Sequence, residues 1–331
     1  MDERFLSIMD RSLSRAPICM EDCGYLMSFP EDSQECQHLI STVDSYVRER
    51  CGNTAEIGVQ IGVMMGPCMA DCGFCNYAYS TTDVEAYDMK ADELTRYLDS
   101  IVREGIVTTV SLMTIHNFDF DHFLDLVETA RSVLPDDITL AINTGDLESS
   151  EARELKAAGV RSAYHAVRLG ESIDNMLEPL GRYETIRNLV DAGIEVCAGV
   201  DPIGPEHSVH EICELYYRAM RYGCHCCSAS AREPVPGTRL FKAGAITPRR
   251  LKQIRSALII SSTDRDDTEL GFYGGFYGGF DRMYAEYAGS PKDTMELSEK
   301  GLMRTVQWAR DRLRDDGYER LRTPDGSTIP L

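Results

Sequence analysis

Between Glu56 and Ala231 the sequence alternates short apolar strands with amphipathic helices, and few folds accommodate that alternation. Ile57, Val59, Ile61 and Val63 fall at every second position, the period of a β-strand. Beyond it the spacing predicts helices over 91–103, 120–133, 150–158, 183–192 and 210–222. Strands are predicted between and after them over 107–113, 138–143, 163–168, 195–200 and 225–231. Such a series builds a parallel sheet with helices on its outside. Six units predict an α/β fold, a partial (β/α)6 barrel of the TIM type, whose active site lies at the carboxyl ends of the strands. Residues 1–50 are expected to form an N-terminal helical cap, with Phe5, Ile8 and Met9 at helical spacing and a second segment over 38–46. Residues 51–240 then form the barrel core and 241–331 a helical extension that closes it. That extension holds predicted helices over 248–260 and 295–313, and between them the duplicated segment GFYGGFYGGF over 271–280. Its aromatics are placed to line the open side of the barrel, and a packed loop is the plainer reading.

The first predicted strand runs into Met64, Met65, Gly66 and Pro67, and then into Cys68, Cys72 and Cys75. A short loop with this spacing directs three thiolates at three corners of a four-iron cluster and leaves the fourth iron open. A structural zinc site wants a fourth Cys or His nearby, and none lies within the loop. Twelve cysteines in a chain of 331 residues read as metal ligands and buried thiols, not as a disulfide framework.

The net charge of -20, from 34 basic and 54 acidic residues, excludes broad contact with nucleic acid or an anionic membrane. No apolar run approaches the roughly 20 residues of a membrane span. The opening MDERFLSIMDRSLSRAP carries charge where a secretory signal needs an apolar stretch. A cytoplasmic protein is the expectation.

The cysteine segment, with aromatic Phe74 before the last cysteine, resembles the CxxxCxxC motif of the radical S-adenosylmethionine (SAM) superfamily. The resemblance implies that the open iron binds the amino and carboxylate groups of SAM. It further implies that one electron, from a flavodoxin or ferredoxin, cleaves SAM to methionine and a 5'-deoxyadenosyl radical that abstracts a substrate hydrogen. Three further segments are similar to the biotin synthase-like branch: RERCGNTAEIG over 48–58, DAGIEVCAG over 191–199 and VPGTRL over 235–240.

Residues ending each predicted strand are the candidates to hold SAM and substrate. Ser111 to Thr114 end the second strand as SLMT, where the superfamily has a Gly-Gly-Glu type turn, so a backbone role is expected there. Asn143 and Thr144 end the third strand, as ligands of a ribose or substrate or as a helix-entry turn. Arg168 and Glu171 end the fourth, where relatives place an arginine for the methionine carboxylate and an acid near the ribose or amino group. Glu206 and His207 follow the fifth strand and are expected in the same mouth.

Biotin synthase carries a second, sulfur-donating cluster. Cys197 matches one of its ligands, but the second strand lacks a cysteine and the third has Ala141 where one is expected, which argues against biotin synthase itself. Cys224, Cys226 and Cys227 precede or begin the sixth strand, near the barrel floor. Cys19, Cys23 and Cys36, with Cys51 beyond, are the candidate holders of an auxiliary cluster if the cap folds over the mouth.

The leading reading is a radical SAM enzyme acting on a small molecule or a carrier-bound acyl chain. Sulfur insertion of the archaeal two-component lipoyl synthase type, with a partner radical SAM subunit, is one form of it. A cofactor-maturation enzyme of the iron-hydrogenase type, or a methylornithine synthase-like rearrangement, is the other. A non-catalytic iron-sulfur electron carrier or sensor is the alternative of another class.

Overall fold

A computed structural model describes residues 1–265, 282–288 and 304–331. Three helices open the chain, α1 (Glu3–Leu13), α2 (Met20–Leu26) and α3 (Gln34–Cys51). The side chains of Asp2 and Ser33 cap α1 and α3 by accepting from the Phe5 and Cys36 N–H groups. The helices pack against one another and against outer helices of the barrel, α2 on the helices over 209–221 and 248–260 and α3 on the latter.

The barrel begins with β1 (Thr54–Met65), a short β2 (Tyr87–Asp88), α4 (Ala91–Glu104) and β3 (Val107–Thr114). It continues through α5 (Phe120–Val133), β4 (Thr139–Asn143), α6 (Ser149–Ala157), β5 (Ser162–Tyr164), α7 (Pro179–Asp191) and β6 (Glu195–Ile203). The last unit is α8 (Val209–Arg221) and β7 (Cys226–Ala231), followed by α9 (Pro248–Ile260). Strands β1, β3, β4, β5, β6 and β7 pair in parallel in that order, with registers such as Gln60 opposite Ser111, Ser111 opposite Ala141 and Cys197 opposite Cys226. This is the partial (β/α)6 barrel that the alternation dictates, and among the described residues the sheet does not close beyond β7. Apolar side chains between sheet and helices, among them Ile57, Leu112, Phe123, Ile142 and Ile186, are fully or almost fully buried and form the main core.

The extension holds the helix expected over 248–260, and it also adds strands to the sheet. β8 (Arg282–Tyr287) adds in parallel to the free edge of β1, with Glu56 opposite Arg282 and Ile61 opposite Tyr287. After α10 (Val306–Asp315) come β9 (Arg320–Arg322), parallel to the start of β1, and β10 (Thr328–Pro330), antiparallel to β9. Among the described residues, β8 thus adds a strand from the far end of the chain to the six parallel strands of the barrel. The glycine-aromatic segment 271–280 and the first half of the helix expected over 295–313 lie outside the described residues.

Candidate functional site

The loop after β1 turns at Gly66, whose φ of 145° suits glycine and whose missing Cβ would meet the Ala86 Cα at 2.7 Å. Cys68, Cys72 and Cys75 follow at the carboxyl end of the barrel. Backbone bonds from Asp71 N to Cys68 O at 3.1 Å and from Cys75 N to Cys72 O at 2.9 Å fold the loop into successive turns. Cys72 is buried with Ala70 and Leu177, and Cys68, Phe74 and Cys75 pack against them. Two amides point at sulfur: His116 N donates to Cys68 Sγ and Tyr77 N to Cys75 Sγ, each at 3.4 Å. Donation of this kind favours thiolates, the form in which cysteine binds iron. Burial pushes the Cys72 thiol up to about 12, the neighbouring thiols add to the rise, and the Arg168 charge opposes it. Metal binding at this loop therefore has to displace protons. Among the described residues no three His, Cys, Asp or Glu side chains close around a single metal ion.

A cavity of about 690 Å³ descends from the triad through the barrel to Glu56, Thr108 and His225 at the opposite strand ends. Its wall is built by the strand period of two: Gln60 from β1, Thr109, Ser111 and Met113 from β3, Thr139, Ala141 and Asn143 from β4. Tyr164 comes from β5, Cys197 and Asp201 from β6, and Cys226, Ser228 and Ser230 from β7. Hydroxyls, amides and charges thus stand among apolar side chains such as Met113 and Ala141 in the barrel interior.

Of the residues singled out in the sequence, Phe74, Ser111, Thr114, Asn143, Thr144 and Arg168 line this cavity with the three cysteines. Thr144 Oγ1 donates to Gly145 O at 3.1 Å, and Asn143 Nδ2 lies 3.7 Å from Met113 Sδ. Arg168 stands 5.9 Å from the Phe74 ring centroid. Glu171 sits beside the cavity: it accepts from Arg168 N, its Oε1 is 3.7 Å from Arg182 Nε, and burial raises its carboxyl. Glu206 and His207 do not reach the mouth. Glu206 pairs with buried Arg232, and His207 Nδ1 accepts from Gly204 N at 2.8 Å.

The structure does not bring Cys19, Cys23 and Cys36 to the mouth. Cys19 is exposed at the start of α2, Cys23 packs beneath α9 with its thiol 3.7 Å from Ala257 O, and Cys36 is buried along α3. Packing of the cap on α8 and α9 is the reason, since it holds these cysteines outside the barrel. Outside the triad, the cysteines that line the cavity are Cys197 and Cys226.

Four cavity or near-cavity groups went unread in the sequence. Asp201 accepts from Arg168 Nη1 at 2.6 Å and from the Tyr164 hydroxyl, so two strand ends share one buried carboxylate. Gly199 makes room for that pair, since a Cβ there would clash with the Tyr164 oxygen. Arg182 enters the cavity from the first turn of α7 and binds Asp146 at 2.7 Å. His165 is buried behind it, 3.4 Å from Asp146 Oδ1, and burial followed by the Arg182 charge depresses its imidazole to about 3. Asp201 lies in β6, which runs to Ile203, three residues past the predicted end at Val200, and Arg182 stands on a helix, where a search of strand ends does not look.

Residues 63–219 match the radical SAM superfamily. The biotin synthase of Nocardioides is 24% identical over 284 residues, which cover 83% of this chain and 74% of that enzyme. The biotin synthase of Desulforudis audaxviator is 28% identical over 198 residues, covering 57% of this chain and 60% of its own length. Among solved structures, methylornithine synthase superposes with a TM-score of 0.76 at 16% identity, over 94% of this chain and 96% of that one. The FeFe-hydrogenase maturase HydG from Carboxydothermus hydrogenoformans gives 0.75 at 16% identity, over 96% and 79%. At these identities the superpositions speak to the fold.

Proposed function

We propose, from the premise that this chain belongs to the radical SAM superfamily and to its biotin synthase-like branch, that it abstracts hydrogen from a small polar molecule held in the barrel. Its cofactors are a four-iron cluster and SAM. The cavity wall is the observation that carries the substrate class. Gln60, Ser111, Tyr164, Asp201, Ser228 and Ser230 place hydrogen-bonding groups and charge among apolar side chains such as Met113, Ala141 and Trp308, a mixed lining that suits a small molecule with several polar groups better than a bare acyl chain. The volume of about 690 Å³ falls within the ~300–1,000 Å³ of small-molecule sites and has to hold SAM as well, which leaves room only for a small substrate.

The residues fit the cofactors. Cys68, Cys72 and Cys75 would hold three irons, with the His116 and Tyr77 amides stabilising the thiolates. When bound and reduced by one electron, these cofactors would supply a 5'-deoxyadenosyl radical to the cavity. Arg168, steered by Asp201, would present its guanidinium to the methionine carboxylate. Ser111 and Asn143 would meet the polar edges of nucleoside or substrate, and the buried wall beneath them excludes bulk water.

Rearrangement or fragmentation of a small precursor accords with this cavity better than sulfur insertion does. A sacrificial cluster needs ligands inside the barrel, and beyond the triad the cavity offers only the thiols of Cys197 and Cys226. Those two thiols are also what favours the second reading, insertion of sulfur from a cluster they help to hold. Iron analysis separates the two. The reconstituted protein is expected to hold about four irons per chain and to keep them in Cys197→Ala and Cys226→Ala. About eight irons, falling to about four in those variants, would overturn the one-cluster reading.

A further inference from the structure

Two thiols that the proposed chemistry leaves unused face the cavity side by side. Tyr164 on β5 stands opposite Cys197 on β6, and Cys197 opposite Cys226 on β7, so the three form one row across neighbouring parallel strands. All three line the cavity. The strand period turns Ser228 and Ser230 inward with Cys226, while Cys227 packs into the hydrophobic core. Both cavity thiols are buried. Burial, then a hydrogen bond with the Cys226 thiol, holds the Cys197 thiol well above its usual range, so it keeps its hydrogen at neutral pH. Among the described residues no third Cys, His, Asp or Glu completes a metal site with them. The row also lies deep. Cys197 is the third residue of β6 and Cys226 the first of β7, whereas the triad stands at the carboxyl end of the barrel. Asp201, which holds Arg168, follows Cys197 by four residues and is about 13 Å nearer the mouth by the rise of a strand. A molecule held between these levels has the triad on its mouth side and the two thiols on its floor side.

We infer that the Cys197 and Cys226 pair is the hydrogen-atom donor that ends the reaction, quenching the carbon radical of the rearranged or fragmented substrate. The inference rests on the proposed function, which puts a substrate radical in this cavity. A sulfur–hydrogen bond is weaker than most carbon–hydrogen bonds, so a carbon radical takes hydrogen from a thiol readily. The serine hydroxyls beside the pair hold theirs too firmly, and the Tyr164 hydroxyl is committed to Asp201. In the step the S–H bond breaks, a C–H bond forms on the product and a thiyl radical remains, its odd electron shared with the neighbouring sulfur. One electron from a low-potential one-electron donor, the class that also starts the reaction, and one proton from water restore the thiol. The hydrogen first abstracted stays in 5'-deoxyadenosine. SAM is therefore consumed once per product and not regenerated, and the substrate is a small molecule that receives its new hydrogen from the floor side.

Turnover of the reconstituted holoprotein with SAM and dithionite in heavy water, with no substrate added, tests it, because the 5'-deoxyadenosyl radical itself then probes the cavity for hydrogen donors. Thiol hydrogens exchange with heavy water and carbon-bound ones do not. Mass spectrometry is expected to find one deuterium gained by the 5'-deoxyadenosine. In Cys197→Ser/Cys226→Ser the labelled fraction should fall at least about tenfold, with total 5'-deoxyadenosine and iron content as in the unaltered protein. Should that variant lose iron, Cys197→Ala/Cys226→Ala carries the same expectation. Cys19→Ser, at the exposed start of α2, should keep the label. A second readout needs no turnover: infrared difference spectra of the holoprotein against each single serine variant should show an S–H stretching band for each thiol at neutral pH. Unlabelled 5'-deoxyadenosine from the unaltered protein would overturn the inference, and so would label that survives the double variant. Missing S–H bands would mean thiols that are deprotonated or hold a metal, which overturns it too. Failure to form 5'-deoxyadenosine at all counts against the proposed function, whereas unlabelled product in normal amount counts against the donor alone.

Discussion

Arg168 Nη1 lies 2.6 Å from Asp201 Oδ1, at the point where the ends of β5 and β6 meet the barrel cavity. The other carboxylate oxygen accepts from the Tyr164 hydroxyl, and both Asp201 and Tyr164 are largely removed from solvent. Removing one partner of such a pair leaves the other charge uncompensated. Asp201→Ala is expected to cost about 3 kcal/mol in urea unfolding of the apo protein, and Tyr164→Phe about 1 kcal/mol. Equal, small losses in the two variants would mean that the carboxylate is not the centre of this group.

Gly199 packs from β6 against Tyr164 and Asp201, with space for no side chain. Gly199→Ala should displace Tyr164, destabilise the protein by about 2 kcal/mol and lower the affinity for SAM through Arg168. Adding Tyr164→Phe removes the oxygen that the new methyl meets, so the double variant should recover part of the loss. A double-mutant cycle reads this directly, and additive losses would show that Gly199 is tight for some other reason.

His165 gives the stability a pH dependence of known sign. Its folded value of about 3 lies below the ordinary 6.5, because burial, then the Arg182 charge, disfavours the imidazolium. Between those values the unfolded chain binds the extra proton, so stability is complete above about 6.5 and is lost as pH falls toward 3. From pH 7.5 to 5 the loss from this one group is about 2 kcal/mol. Thermal unfolding of the apo protein at the two pH values should show it, and His165→Gln should flatten the difference. An undiminished pH dependence in that variant would assign the effect to other groups.

Glu56 clasps the far end of the chain to the first strand. Its Oε2 accepts from Arg282 Nη2 at 2.7 Å and from Thr108 Oγ1 at 3.1 Å, while Oε1 accepts from Arg322 Nε at 3.0 Å. Glu56→Ala should therefore loosen β8 and β9 together, at about 2 kcal/mol for a pair only partly buried. Limited trypsin digestion should release fragments from the region after residue 260 sooner than in the unaltered protein. Unchanged digestion would show that the strand pairing holds the extension without the clasp.

How far this could be read from the sequence depended on how local the signal was. The cysteine loop and the alternation of strands and helices are local patterns, so the barrel and the position of the loop were legible in residues such as Ile57, Val59 and Val63. β8 was not: RMYAEY is short, and its place beside β1 comes from pairing across more than 200 residues, which no local period encodes. Asp201 was missed because the strand expected over 195–200 continues through Asp201 and Pro202, although proline is disfavoured inside a strand. Arg182 was missed because a long side chain on a helix can reach a site that its backbone does not border. The cap cysteines were candidates only if the cap folded over the mouth, and the packing of α1 to α3 on the outer helices holds them away from the cavity.

The most direct test of the account is to incubate the anaerobically reconstituted protein with SAM and dithionite and measure 5'-deoxyadenosine and methionine. The account predicts both products in equal amounts from the unaltered chain and from Cys197→Ala, and neither from Cys72→Ala, which should also lose its iron. Intact SAM in the presence of a fully reduced cluster would contradict it.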